Sequence, residues 1–196
     1  MLAKVIEFLN DEGEVRRLLS SFSCEQDDDI QYFLENRAIE FEQLSKARTY
    51  LAFDGEQLQK QSGLDSLIIY GYISLALKVL SVPEENKNIS NHKRKDLDGF
   101  NAKCHGKVIE DFPCYLIGQL ARNSDVDKMA LPGEAILQKA FDIIQEAANA
   151  VCGRLIMVEC KDDVRLIQFY SQSGFEEISR IADGETKMVQ LVKRIF

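Results

Sequence analysis

The segment Phe169-Tyr170-Ser171-Gln172-Ser173-Gly174-Phe175 sets a phenol at the end of an apolar helical stretch. A phenol with an ordinary pKa near ~10 stays protonated at neutral pH, so Tyr170 could give a proton to a departing anion. Upstream, the apolar run Tyr115–Arg122 leads into Lys128-Met129-Ala130-Leu131-Pro132-Gly133, where an amphipathic helix begins. A strand feeding a helix N-terminus gathers free N–H groups and about half a positive charge, which suits an anionic ligand. Lys128 adds a cation, while Asp125 and Asp127 would repel an anion that they faced. Pro132 removes one amide donor but is well tolerated in a first helical turn. From the residues alone, the loop is a plain strand-to-helix turn or an anion site, and Tyr170 is a packing residue or a proton donor.

Other reactive constellations are weaker. Cys104 and His105 are sequence neighbours that lack a further ligand, and His92 lies apart, so no metal site is expected. There is no GxSxG elbow, HExxH helix, Walker loop or GxGxxG fingerprint. Cys160 follows a buried apolar run and reads as packing. Glu35, Glu40, Glu110 and Asp111 are available carboxylates, none of which stands out as a base.

The elements that must position these groups can be read from periodicity. Residues 3–9 read as a short strand, and 28–44 as an amphipathic helix with Ile30, Phe33, Leu34, Ala38, Phe41 and Leu44 at helical spacing. Thr49–Phe53 is a strand candidate closed by Asp54–Gly55, and Leu67–Leu80 a central strand covered on both faces. Val82–Asp111 turns polar, which predicts an excursion over the surface with one helical turn at most. Strand Tyr115–Ala121, helix Gly133–Val151 and strand Leu155–Val158 follow. Next comes a helix capped by Asp162 or Asp163 and ended by Gly174, then a hairpin of Ile178–Ile181 with Met188–Val192 around Asp183–Gly184.

A length of 196 residues suits a single domain spanning 1–196 with the excursion at 82–111. The net charge of −8 disfavours nucleic acid and anionic membrane as partners. His92-Lys93-Arg94-Lys95, with Lys103 and Lys107, is the best local phosphate contact, offset by neighbouring carboxylates. The five scattered cysteines form no CxxC pair, and Glu7, Asp11, Glu12 and Glu14 interrupt any leader-like apolar stretch. A cytoplasmic protein with reduced thiols is expected, without a membrane span.

The order of these segments resembles the GNAT N-acetyltransferase superfamily. Phe22-Ser23-Cys24, Arg48-Thr49-Tyr50-Leu51, Tyr70–Leu77 and Gly118-Gln119-Leu120-Ala121 look like its subgroup of acetyltransferase toxins. The resemblance implies an α/β fold whose mixed, splayed central sheet is flanked by helices, with acetyl-CoA in the opening. It implies that the pantetheine arm pairs with Gln119, Leu120, Ala121 and Arg122. The pyrophosphate would rest on the loop from Lys128 through Leu131 to the amides of Gly133, Glu134 and Ala135, with Phe169 alongside. Leu131 stands where the family loop keeps a glycine. Tyr170 matches the family's general acid, and the Leu120 N–H would polarise the thioester carbonyl.

The expected activity is transfer of acetyl to a primary amine by direct attack. One alternative is a toxin acetylating aminoacyl-tRNA. Another is a non-catalytic GNAT-like module that binds a partner through residues 82–111. An exposed strand edge near the C-terminus would allow a homodimer.

Overall fold

A computed structural model of the protein describes residues 1–54, 67–86, 88–183 and 186–195. Strands β1 (Arg48–Phe53), β2 (Ile69–Ser81), β5 (Asp111–Arg122), β6 (Leu155–Lys161), β7 (Glu176–Asp183) and β8 (Thr186–Arg194) form a six-stranded sheet in the order β1-β2-β5-β6-β8-β7. Pairing is parallel between β5 and β6 and antiparallel between β1 and β2, β6 and β8, and β7 and β8. The sheet is therefore mixed. Strands β3 (Lys103–Cys104) and β4 (Lys107–Val108) make a separate hairpin. Contacts divide the chain into two compact units, Met1–Ala76 with Gly118–Ile143, and Leu77–Ile117 with Ile144–Phe196.

In the first unit, residues expected as a strand over 3–9 form helix α1 (Leu2–Leu9) instead. Leu2, Val5, Ile6 and Leu9 recur at helical spacing and pack on one apolar cluster, which outweighs the strand preference of Val5 and Ile6. Helix α2 (Glu12–Leu19) is capped by the Asp11 carboxylate, which accepts from Glu14 N at 3.2 Å, and buries Val15, Leu18 and Leu19. Helix α3 (Asp28–Tyr32) is capped by Asp27, passes through a π turn over Phe33–Arg37, and resumes as α4 (Ala38–Gln43). The expected helix over 28–44 is thus present with a wider turn inside it.

Several residues of the segments that carry the family resemblance pack inside the first unit. Phe22 meets the Tyr72 ring edge-on at 5.2 Å, and the Tyr72 hydroxyl donates to the Ile30 carbonyl at 2.6 Å. The buried Glu42 carboxylate accepts from Arg48 Nη1 at 3.0 Å and from Thr49 N at 2.9 Å. Burying that carboxylate is tolerable because both of its oxygens are hydrogen-bonded.

In the second unit the excursion is more ordered than expected. It contains helix α5 (Asn91–Asp98), capped by Ser90 and ended by Gly99 in the left-handed region at φ 93. The turn of the β3–β4 hairpin is His105-Gly106, with φ values of 50 and 79, as a two-residue primed turn needs. Arg94 is the reason that the segment holds its path. Its guanidinium is buried and donates to the carbonyls of Val82 at 2.6 Å, Pro83 at 2.6 Å and Ile109 at 3.1 Å. Lys93 binds Glu176 at 2.5 Å. The cluster His92–Lys95, the best local phosphate contact in the sequence, therefore spends two of its cations on structure.

The core of this unit gathers Leu80, Val82, Leu97, Phe112, Cys114, Leu155, Met157, Ile178 and Val192. Helices α6 (Gly133–Val151) and α7 (Val164–Gln172) complete the fold. The turn residues Gly55 and Gly184 expected from the sequence lie outside the described residues. Among the described residues, no helix is long and apolar enough to cross a membrane.

Candidate active site

Strand β5 enters the site in parallel register with β6, Cys114–Ile117 against Leu155–Val158, and the pairing ends there. β5 then runs on through Gly118–Arg122. On the edge away from β2, those last residues have no strand partner among the described residues. Their alternate N–H and C=O groups are left for water or a ligand. Gln119 and Leu120 are half-buried, and Ala121 is buried.

Past the strand, the chain is held by Asn123, which is fully buried. Its amide donates to Ile69 O at 2.8 Å, its side-chain oxygen accepts from Asp125 N at 3.0 Å, and its own N–H reaches Tyr70 O at 2.8 Å. Arg122 turns onto the same loop, donating to Val126 O at 2.6 Å. The Arg122 side chain thus braces the loop. Lys128 is exposed and has no partner among the described residues, so it is available to an anion.

Leu131, which replaces the family glycine, fills space against β2. A Cβ built on Gly71 would meet Leu131 Cδ2 at 2.9 Å and the Ala121 carbonyl at 2.8 Å. Gly71 is therefore required for β5 and the loop to approach β2 this closely. At the start of α6, the Ala135 and Ile136 amides donate to Pro132 O at 3.0 and 3.3 Å. Ala135 is thereby committed within the helix, which leaves the Gly133 and Glu134 amides at the positions that every helix start leaves open.

The second unit holds the phenol. Asp163 caps α7, accepting from Arg165 N at 2.7 Å, which selects it over Asp162. Gly174, at φ 87, takes the left-handed position after the helix and lets Phe175 N turn back to Tyr170 O at 3.1 Å. Tyr170 lies between Phe169 and Phe175, with ring centroids at 5.1 and 5.6 Å, and is only 8% exposed. Burial pushes its phenol above the ordinary range, and the neighbouring Cys160 adds to the effect.

The Tyr170 hydroxyl has no hydrogen-bond partner among the described residues, and no buried side-chain oxygen there lacks one. The ring is therefore sealed while its oxygen touches solvent. A protonated donor whose proton is uncommitted is the state that a general acid needs.

Cys160 is buried, and its thiol is pushed up to about 11 by that burial and then by Asp162, Asp163 and Glu177. It is a packing thiol rather than a nucleophile. Among the candidate bases, Glu35 accepts from Gln31, Glu40 pairs with Arg37, and Asp111 accepts from Ser81. No metal-binding cluster occurs among the described residues. Asn123 and Gly71 escaped sequence reasoning because an asparagine after a strand and a glycine within one signal only a turn or a close contact.

No protein-family model matches the sequence, and no curated protein is detectably similar to it. Solved structures are similar in fold. A mutant of KacT aligns with a TM-score of 0.62 at 17% identity over 90% of this chain and 87% of its own. AtaTR bound with acetyl-CoA gives 0.58 at 16% over 90% and 85%. AtaT complexed with acetyl-methionyl-tRNAfMet gives 0.59 at 17% over 87% and 85%.

The chain shares its fold with AtaT and KacT, a GNAT-like mixed sheet flanked by helices. In that frame β5 and β6 are the central parallel pair, and α6 follows β5 and its loop. The sheet order and the short β5–β6 ladder agree with the mixed, splayed sheet expected from the sequence.

Proposed function

We propose that the protein is an acetyl-CoA-dependent N-acetyltransferase that acts on a primary amine by direct attack. The observation that carries this reading is that the β5–β6 pairing ends at Ile117–Val158 while β5 continues through Gly118–Arg122. An unpaired strand edge offers the alternating donors and acceptors that an amide-bearing pantetheine arm takes up. The amides of Gly133 and Glu134, at the positive end of a 19-residue helix, together with Lys128, suit the pyrophosphate.

In this reading the Leu120 N–H, at the free edge, polarises the thioester carbonyl. Gln119 and Ala121 flank it along the strand, and Leu131 packs beneath the loop. As the amine nitrogen bonds to the acyl carbon and the C–S bond breaks, Tyr170 gives its proton to the leaving thiolate and the nitrogen gives its surplus proton to water. Phe169 and Phe175 keep water from the rest of the ring, so the phenol stays protonated until that moment. The likeness to AtaTR bound with acetyl-CoA supports the choice of donor.

Calorimetry tests the reading directly. Acetyl-CoA is expected to bind and free CoA to compete for the same site; no heat at millimolar cofactor would overturn the proposal.

A further inference from the structure

The free edge Gly118–Arg122 and the helix start at Gly133 are joined by the loop over residues 123–132, and one side chain governs where that loop begins. Asn123 is 0% exposed. Its Nδ2 donates to Ile69 O at 2.8 Å and to Ser21 O at 3.4 Å, and its Oδ1 accepts from Asp125 N at 3.0 Å and Ser23 N at 3.4 Å. An asparagine amide offers two donors and two acceptor sites, so all four are taken. The next residue continues the seam. Ser124 N donates to Ser23 O at 2.9 Å, and Ser124 Oγ accepts from Glu25 N at 3.0 Å. Every one of these groups lies in the first unit.

On the other side of the seam is the turn Ser21–Glu25, between α2 and α3. Phe22 and Cys24 are buried in the apolar cluster of that unit, and Ser23 between them turns both its N–H and its carbonyl toward the loop. A buried amide is tolerated only when its hydrogen bonds are made again inside the protein. An apolar side chain of the same size would fill the space without that demand. What the amide adds is direction, because it fixes β2, the turn and the loop to one another at a single point. That point lies between Arg122, the last residue of the free edge, and the loop that delivers Gly133 and Glu134.

A ligand that pairs with the edge and rests an anion on the helix start needs both held in place before it arrives. Resting on the acetyltransferase reading above, we infer that Asn123 is the positioning residue of the acetyl-CoA site, and that through it the Ser21–Glu25 turn controls cofactor affinity. The linkage is reciprocal. Acetyl-CoA bound along the edge steadies the turn, and a loosened turn weakens acetyl-CoA. Phe22-Ser23-Cys24 thereby gains a role in the site besides its packing.

The test follows acetyl-CoA binding by calorimetry, and amide hydrogen exchange with and without acetyl-CoA. Asn123→Asp is nearly isosteric but sets a carboxylate oxygen against the Ile69 and Ser21 carbonyls. It should raise the acetyl-CoA Kd about tenfold or more. Ser124→Ala cuts only the link to Glu25 and should raise it about threefold, with melting temperature nearly unchanged. Val15→Ala opens a cavity in the same apolar cluster without touching the seam, so it should cost melting temperature and leave that Kd within about twofold. In the unaltered protein, acetyl-CoA should slow exchange of the Ser23 and Glu25 amides about fivefold or more. Slowing confined to residues 118–122 and 133–134 overturns the inference, even where Asn123→Asp fails to fold. A Kd for Asn123→Asp that matches Val15→Ala at equal loss of melting temperature marks a purely structural residue and also overturns it. No acetyl-CoA binding by the unaltered protein defeats the underlying reading as well; retained binding with Kd unmoved in Asn123→Asp and Ser124→Ala defeats this inference alone.

Discussion

Tyr170 shows how one side chain acquires a role from its neighbours. Two aromatic rings and the helix end remove its ring from water, while its hydroxyl keeps no internal partner among the described residues. Tyr170→Phe deletes only that oxygen, so turnover should fall by about a hundredfold or more while acetyl-CoA affinity changes little. Equal turnover in the variant would remove the phenol from the mechanism. Burial raises the phenol pKa, so its protonated form persists as pH climbs past the ordinary value near ~10. The turnover–pH profile should accordingly show no falling limb centred at or below that pH, which stopped-flow assays across alkaline buffers can check.

At the scale of elements, the site depends on how tightly the strand β5 and its loop seat on β2. Gly71 permits the contact, Leu131 fills it, and Asn123 pins the start of the loop to the carbonyl of Ile69. Gly71→Ala puts a methyl within 2.8 Å of the Ala121 carbonyl, which is backbone and cannot rotate away. A stability loss of about 1–3 kcal/mol is expected in urea unfolding, together with weaker acetyl-CoA binding because the β5 edge shifts. Unchanged stability would mean that the two strands stand further apart than described.

The excursion over 82–111 makes the complementary point. Its polar composition suggested a surface excursion with one helical turn, yet the Arg94 guanidinium ties the carbonyls of adjacent Val82 and Pro83 to that of Ile109 and orders it around α5.

For the whole molecule, charge is the property that matters most. Carboxylates outnumber lysines and arginines by 32 to 24, and many of the cations are paired internally, as in Lys93–Glu176, Arg48–Glu42, Arg180–Asp162 and Arg194–Asp96. A surface of this kind repels a phosphate chain on average. Binding of unrelated RNA at physiological salt should therefore be weaker than about 0.1 mM. Submicromolar binding with a steep salt dependence, measured by fluorescence anisotropy, would reveal a basic face and would favour an RNA-borne acceptor.

The sequence by itself determined the order of the elements from the long helix onward and the apolar strands before it. Hydrophobic period and turn residues are local properties, and Gly133–Val151, Leu155–Lys161 and Gly174 announce themselves without any partner. The phenol in its aromatic setting was legible for the same reason. Local pattern failed at residues 3–9, where two β-branched side chains suggested a strand and a shared apolar cluster made a helix. It also could not show that β5 stops pairing with β6 after Ile117, or that Asn123 meets Ser21, Ser23 and Ile69. Those facts belong to strand register and tertiary packing, which bring together residues up to 102 positions apart. No short window of sequence contains them, because the energy that sets them comes from packing between distant segments.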